Sequence, residues 1–113
     1  MYNRSRNLLE CHIAGFTYHD GLDVIDKLKI GTPVTLVSEP DNPYDPNAVA
    51  IYYEETMIGY IPRVKNYKIS QMLYFGHEDL FEARINCCHP DEAPESQFRV
   101  VIKVKDNRNK RKR

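Results

Sequence analysis

The sequence has 113 residues, 42% hydrophobic and 28% charged, a composition typical of one globular domain and unlike that of a disordered or fibrous chain. No apolar run reaches the length of a membrane span, and the polar, basic first seven residues do not resemble a secretory signal. Three cysteines, two of them adjacent (Cys87 and Cys88), do not form an even disulfide framework. We therefore expect a cytoplasmic protein without a membrane partner.

Charge is unevenly distributed, although the formal net charge is zero. Residues 103–113 carry seven basic side chains and one acidic, a net charge of +6, which leaves −6 for the other 102 residues. A mildly acidic body is not typical of proteins that coat duplex DNA over a broad face, so nucleic-acid contact should be local. No aliphatic residue follows Asp106, so we expect a flexible N-terminus at 1–7, one domain at 8–105 and a basic disordered tail at 106–113.

The first half of the chain predicts four strands and one short helix. Apolar and polar residues alternate over 9–16, which is typical of a half-buried strand. Apolar residues then fall at helical spacing within 20–28, where a short helix is expected. Further strands are predicted at 34–39, 48–53 and 57–61, and a tight turn joins the last two in a hairpin.

The second half predicts one more helix and two more strands. Pro62 suits the first turn of a helix that continues to about Phe75. The side chains expected on its buried face are Ile69, Met72 and Leu73. Alternation predicts strands at 81–87 and 98–104. Six strands and two helices favour a mainly β domain, a small six-stranded barrel, over a doubly wound fold that needs a helix after nearly every strand.

Cys87, Cys88 and His89 are the most obvious candidate metal ligands. Adjacent cysteines do not easily turn toward one ion, and strand alternation predicts Cys87 inside and Cys88 outside. The sequence also has no serine elbow, no H-E-x-x-H and no phosphate-binding loop. We therefore expect no metal, no cofactor and no catalytic residues.

The segment Ser38–Ile51, SEPDNPYDPNAVAI, has a proline at every third position between two predicted strands, which indicates a rigid surface loop. In one interpretation Asp45 and Asn47 only close turns, and Tyr44 covers the edge of the core. In the other, Tyr44 stacks on an unpaired base and Asp45 accepts a hydrogen bond from a terminal hydroxyl. Because a carboxylate repels phosphate, the second interpretation favours the end of a strand over its middle.

Three motifs resemble the HIRAN domain family: AGFTY at 14–18, EPDNPYDPNAV at 39–49 and IGYIPR at 58–63. The resemblance covers about residues 8–105. It implies a six-stranded barrel related to oligonucleotide-binding (OB) folds, with a pair of helices. It also implies a non-catalytic module that recognises the 3′-hydroxyl end of single-stranded DNA, in DNA repair or processing.

The resemblance also assigns roles to four residues of this chain. Tyr44 would stack on the terminal base, and Asp45 would accept the 3′-hydroxyl. Asn42 would hold the loop or the end nucleotide. Tyr18 would be the second stacking aromatic.

Three residues at and just after the end of the fourth predicted strand complete the expected site. Tyr60 and Arg63 would contact the terminal nucleotides and phosphates. Arg63 and Lys65 lie where a helix is predicted to begin, and free backbone N–H groups favour an anion at such a position.

A protein-interaction module on the same fold is the alternative. A DNA-binding relative has an arginine in place of Thr17, and the body of this chain is acidic, so a domain that has lost DNA binding is compatible with the sequence. The chain contains no translocase motor, so a helicase or nuclease acting in trans is the expected enzyme partner of either module.

Overall fold

The structure is a computed structural model that describes residues 6–16, 20–89, 91–92 and 97–106. These residues contain six strands. The strands are β1 Arg6–His12, β2 Pro33–Ser38, β3 Val49–Tyr53, β4 Thr56–Tyr60, β5 Phe81–Cys88 and β6 Phe98–Val104. The helix α1 is Tyr67–Tyr74, and 3₁₀ helices lie at Asp20–Lys27, Arg63–Lys65 and Glu78–Leu80. Tyr18, residues 1–5 of the predicted N-terminus and residues 107–113 of the predicted basic tail lie outside the described residues, whereas Arg6 and Asn7, expected in that N-terminus, begin β1.

The strands form one antiparallel sheet in the order β1-β6-β5-β2-β3-β4. The sheet is curved, and its two edges meet just beyond β1, where the backbones of Ala14 and Tyr60 exchange hydrogen bonds of 2.8 and 2.9 Å. The sheet is not closed along its length, but the predicted mainly β fold with six strands is confirmed. Of the two predicted helices, the first is a 3₁₀ helix, and the second is divided into a 3₁₀ turn and α1.

Gly59 makes the meeting of the two edges possible. A Cβ at this position would lie 2.4 Å from Cγ2 of Ile13 and 2.6 Å from the carbonyl oxygen of Ala14. The φ of Gly59 is +151°, a conformation that side-chain-bearing residues rarely adopt. Glycine is therefore required for β4 to approach the end of β1.

The core lies inside the curve of the sheet. Buried side chains alternate along β2 and β5, and residues outside the strands such as Leu28 and Ile69 belong to the same cluster. Phe16 and Phe98 pack within this cluster with their ring centroids 4.8 Å apart. Cys11 is completely buried, and its burial raises the pKa of the thiol to about 11. No helix in the described ranges combines the length and the apolar character needed to cross a membrane.

Two predictions about which side chains are buried are wrong. Cys88, expected outside, packs against the core, because the register with β6 shifts between Ile85 and Cys87 and reverses the alternation. Met72, expected inside, is 43% exposed. The face of α1 that packs on the core is centred on Ile69, Ser70 and Leu73, and Met72 lies at the margin of that face.

Candidate functional site

The loop between β2 and β3, residues 39–48, is closed by its own backbone. The N–H of Glu39 donates to the carbonyl of Ala48 at 2.9 Å, across the base of the loop. Two tighter turns lie within it: Asn42 N–H to Glu39 carbonyl at 3.0 Å, and Ala48 N–H to Asp45 carbonyl at 3.0 Å. With three prolines restricting φ in the same segment, the β2–β3 loop has a defined shape without a ligand.

Asn42 organises the tip of this loop, and both ends of its amide are engaged. Its Oδ1 accepts the backbone N–H groups of Tyr44 at 2.8 Å and of Asp45 at 3.1 Å. Its Nδ2 donates to Oε1 of Glu39 at 3.1 Å. Asn42 therefore fixes the backbone of Tyr44 and Asp45, the two residues to which the resemblance assigns base stacking and recognition of the 3′-hydroxyl.

Glu39 connects the loop to β4. The hydroxyl of Tyr60 donates to the same Oε1 of Glu39, at 2.8 Å. Burial, followed by this hydrogen bond and the negative charge of Glu39, raises the pKa of Tyr60 to about 12. Tyr60 is thus a neutral donor at physiological pH, and it ties the β2–β3 loop to the sheet edge that Gly59 brings close to β1.

Asp45 is held from two sides. Its Oδ1 accepts the backbone N–H of Asn47 at 2.9 Å, and its Oδ2 accepts Nδ2 of Asn66 at 3.0 Å. Nε of Arg63 lies 3.8 Å from Oδ2, an ion pair rather than a hydrogen bond. Partial burial raises the pKa of the Asp45 carboxyl, but the two donors and the Arg63 charge outweigh it, so the pKa lies below the ordinary 3.8. The side chain is 16% exposed, so an ionised carboxylate reaches the surface.

Tyr44 presents its ring to solvent while its backbone is fixed. The side chain is 85% exposed, and its carbonyl oxygen accepts Nη2 of Arg63 at 3.2 Å. Arg63 itself is 74% exposed. An aromatic face, a carboxylate and a guanidinium therefore occupy one surface. The side chains that hold the loop are called its frame, and they leave the face of the Tyr44 ring accessible: Glu39, Asn42, Tyr60 and Asn66.

Lys65 points away from this group. Its Nζ donates to the carbonyl oxygen of Glu10 on β1 at 3.4 Å, whereas Arg63, two residues earlier, reaches the β2–β3 loop. The structure thus brings five of the seven predicted site residues together: Asn42, Tyr44, Asp45, Tyr60 and Arg63. Lys65 lies to one side of them.

Elements of both interpretations of the loop are present. Asp45 does close a turn with Asn47, but Tyr44 is too exposed to cover the core edge. Two residues of the frame were not predicted, Glu39 and Asn66. Glu39 lies within the EPDNPYDPNAV motif and could have been considered. Asn66 is 2% exposed and 21 residues away from the carboxylate that it holds, and no local spacing indicates such a contact.

Within the described ranges, no three His, Cys, Asp or Glu side chains converge. Cys87 and Cys88 are free thiols, and Sγ of Cys88 lies 3.3 Å from the carbonyl oxygen of Leu28.

Comparison with known proteins gives one family and two similar structures. The HIRAN domain model matches residues 7–105. The fold is similar to that of a Lactobacillus plantarum protein solved by structural genomics, with a TM-score of 0.75 and 19% identity over 91% of this chain and 97% of that one. It is also similar to the HIRAN domain of human HLTF, with a TM-score of 0.54 and 19% identity over 94% of this chain and 84% of that one. Among curated proteins there is no significant match.

Proposed function

Because the chain belongs to the HIRAN domain family, we propose that it is a non-catalytic module that binds the 3′-hydroxyl end of single-stranded DNA in DNA repair or processing. The family is known from the DNA-binding domain of HLTF-like proteins. The observation that carries the proposal is an ionised, partly exposed carboxylate, Asp45, held next to the exposed ring of Tyr44.

The carboxylate provides the selectivity for the end. A 3′-hydroxyl donates a hydrogen bond to Asp45, and hydrogen bonds to charged groups contribute about 1.5–3 kcal/mol. A 3′-phosphate has no such donor at this position when ionised and carries a charge of about −1.5 to −2, which the carboxylate repels. A nucleotide within a continuous strand likewise presents phosphate to Asp45 instead of a hydroxyl.

Aromatic and cationic groups provide affinity that does not depend on the sequence. A terminal base stacks on Tyr44, and such stacking contributes about 1–3 kcal/mol per base. Arg63 lies beside both and offers its exposed guanidinium to a phosphate of the strand. In the proposal Tyr18 is a second stacking aromatic, and Lys65 contacts a phosphate farther along.

Asn42 and Tyr60 act through the frame. Both donate to Oε1 of Glu39, and Asn42 also fixes the backbone that carries Tyr44 and Asp45. Their contribution to binding is therefore to hold the stacking ring and the carboxylate in the correct relative positions.

The test is fluorescence anisotropy with a ten-nucleotide single strand that ends in a 3′-hydroxyl or a 3′-phosphate, with a blunt duplex as the control ligand. We expect the hydroxyl end to bind at least tenfold tighter than the phosphate end. Asp45→Asn should remove this difference. Tyr44→Ala should weaken both ends, and Tyr74→Ala, which removes a 60% exposed ring at the far end of α1, should not. Equal binding of every ligand by the native protein would refute the proposal.

A protein-interaction module remains the second candidate, favoured by apolar side chains at the end of α1. Met72, Tyr74 and Phe75 are 43%, 60% and 68% exposed. Beside them is a cleft of about 180 Å³ whose walls include Pro40 and Pro46. Exposed apolar surface of this kind is typical of protein contacts. A helicase or nuclease acting in trans is the proposed enzyme partner. In this second candidate function the module has no affinity for DNA ends, and the enzyme binds the apolar side chains at the end of α1.

A further inference from the structure

The hydrogen-bonding capacity of Asp45 is only half used. A carboxylate has about four acceptor positions, two on each oxygen. Among the described residues, Oδ1 accepts one N–H, from Asn47, and Oδ2 accepts one, from Asn66. Arg63 Nε, at 3.8 Å, is too far away to occupy a third. Each oxygen therefore keeps one acceptor position.

The carboxylate is not free to rotate and change this arrangement. The Asn47 N–H belongs to a turn of the β2–β3 loop, and Asn66 is 2% exposed ahead of α1. A rotation of the carboxylate would break both hydrogen bonds. The two remaining positions thus stay on different oxygens of one carboxylate, and a ligand can fill both only with two neighbouring donors.

We propose that the ligand which fills both positions is the 2′,3′-diol of a ribonucleotide, so the module binds RNA 3′ ends in preference to DNA 3′ ends. Each hydroxyl of the diol donates to one oxygen of Asp45. Acidic side chains bind ribose hydroxyls in this manner in dinucleotide-binding folds, and the 2′-hydroxyl is the group by which proteins distinguish RNA from DNA. The inference rests on the proposed function, in that Asp45 is taken to accept a terminal hydroxyl.

A deoxyribose end fills one of the two positions and leaves the other to water. The second hydroxyl of a ribose end replaces that water with a hydrogen bond to a charged acceptor. At the lower end of the range for such bonds, this corresponds to about tenfold tighter binding. Tyr44 and Arg63 contact the base and the phosphate, which DNA and RNA share, and do not contribute to the difference.

The experiment uses ten-nucleotide single strands of DNA that differ only in the last sugar: ribose, 2′-deoxyribose, 3′-deoxyribose or 2′,3′-dideoxyribose. Anisotropy titrations of the full chain should give the tightest binding for the ribose end, about tenfold weaker binding for the two monohydroxyl ends, and the weakest for the dideoxy end. If the 2′-deoxyribose end binds as tightly as the ribose end while the dideoxy end is weaker, the proposal fails and hydroxyl recognition stands. If all four bind equally, hydroxyl recognition itself fails.

A chemical control makes the result independent of any protein variant. A ribose end methylated at the 2′-oxygen keeps the 3′-hydroxyl but has an ether, which does not donate, in place of the second hydroxyl. This end should bind no more tightly than the 2′-deoxyribose end. Retention of the full affinity of the ribose end after methylation would overturn the proposal.

Discussion

Replacement of Gly59 by alanine should cost more stability than any glycine change in an open position of this chain. The new methyl group would lie 2.4 Å from Cγ2 of Ile13 and 2.6 Å from the carbonyl oxygen of Ala14. Both atoms belong to the segment that leaves β1, and that carbonyl accepts the N–H of Tyr60. The substitution therefore forces β4 away from β1 at the point where the two edges of the sheet meet.

The magnitude follows from three contributions. A side-chain-bearing residue at a φ of +151° costs about 1–3 kcal/mol. Overpacking against Ile13 adds about 1–3 kcal/mol, and weakening the two hydrogen bonds between Ala14 and Tyr60 adds about 0.5–1.5 kcal/mol each. Since these effects overlap, we expect a loss of about 3–5 kcal/mol in the free energy of unfolding, a large fraction of the stability of a small domain.

Gly31→Ala is the matched control. Gly31 also has a positive φ, +93°, but a Cβ there meets nothing within 4 Å, so it carries the backbone cost alone, about 1–2 kcal/mol. Urea unfolding followed by circular dichroism measures both variants. A Gly59→Ala loss within about 0.5 kcal/mol of the Gly31→Ala loss would refute the reasoning, because it would show that the two edges separate at no cost.

Three further predictions concern the titration of the site. Asn66→Ala removes one donor to Asp45 and should raise the pKa of its carboxyl toward the ordinary 3.8, which carboxyl NMR measures; an unchanged pKa would contradict the assigned contact. Folding lowers the pKa of Asp45, so the ionised carboxylate stabilises the folded state fully above pH 3.8. This stabilisation is lost as the pH falls through the lower pKa of the folded state. The free energies of unfolding of the native protein and of Asp45→Asn should therefore converge in acid. The phenol of Tyr60 should ionise near pH 12, as a phenolate absorbance step that Tyr60→Phe abolishes; a step that survives the substitution would exclude Tyr60 as its source.

Local patterns predicted the strands because a half-buried strand carries its own signature. Cys11 and Ile13 alternate with polar neighbours, and both are buried as expected. The packing of Cys88 against the core, in the place expected for Cys87, was not predictable in the same way. A bulge depends on how β5 pairs with β6, and this pairing is not written in either strand alone.

The candidate site shows the same division. Proline spacing predicted a rigid loop, and the resemblance indicated Tyr44 and Asp45 within it. The contacts that hold them come from elsewhere: Asn66 and Tyr60 each lie 21 residues along the chain from the residue that they hold. Such contacts follow from the folded sheet, which brings β4 and α1 beside the loop, and no periodicity in the sequence encodes them.

The frame of the β2–β3 loop has a consequence for binding energetics. Ordering a flexible segment on binding costs about 1–2 kcal/mol for each backbone residue, and here that entropy is already lost when the protein folds. Association should therefore proceed without a slow conformational step. Weakening the frame, for example at Glu39, would reduce the fraction of molecules that are competent to bind. The apparent affinity would fall in proportion to that fraction, while the intrinsic affinity of the competent molecules would not change.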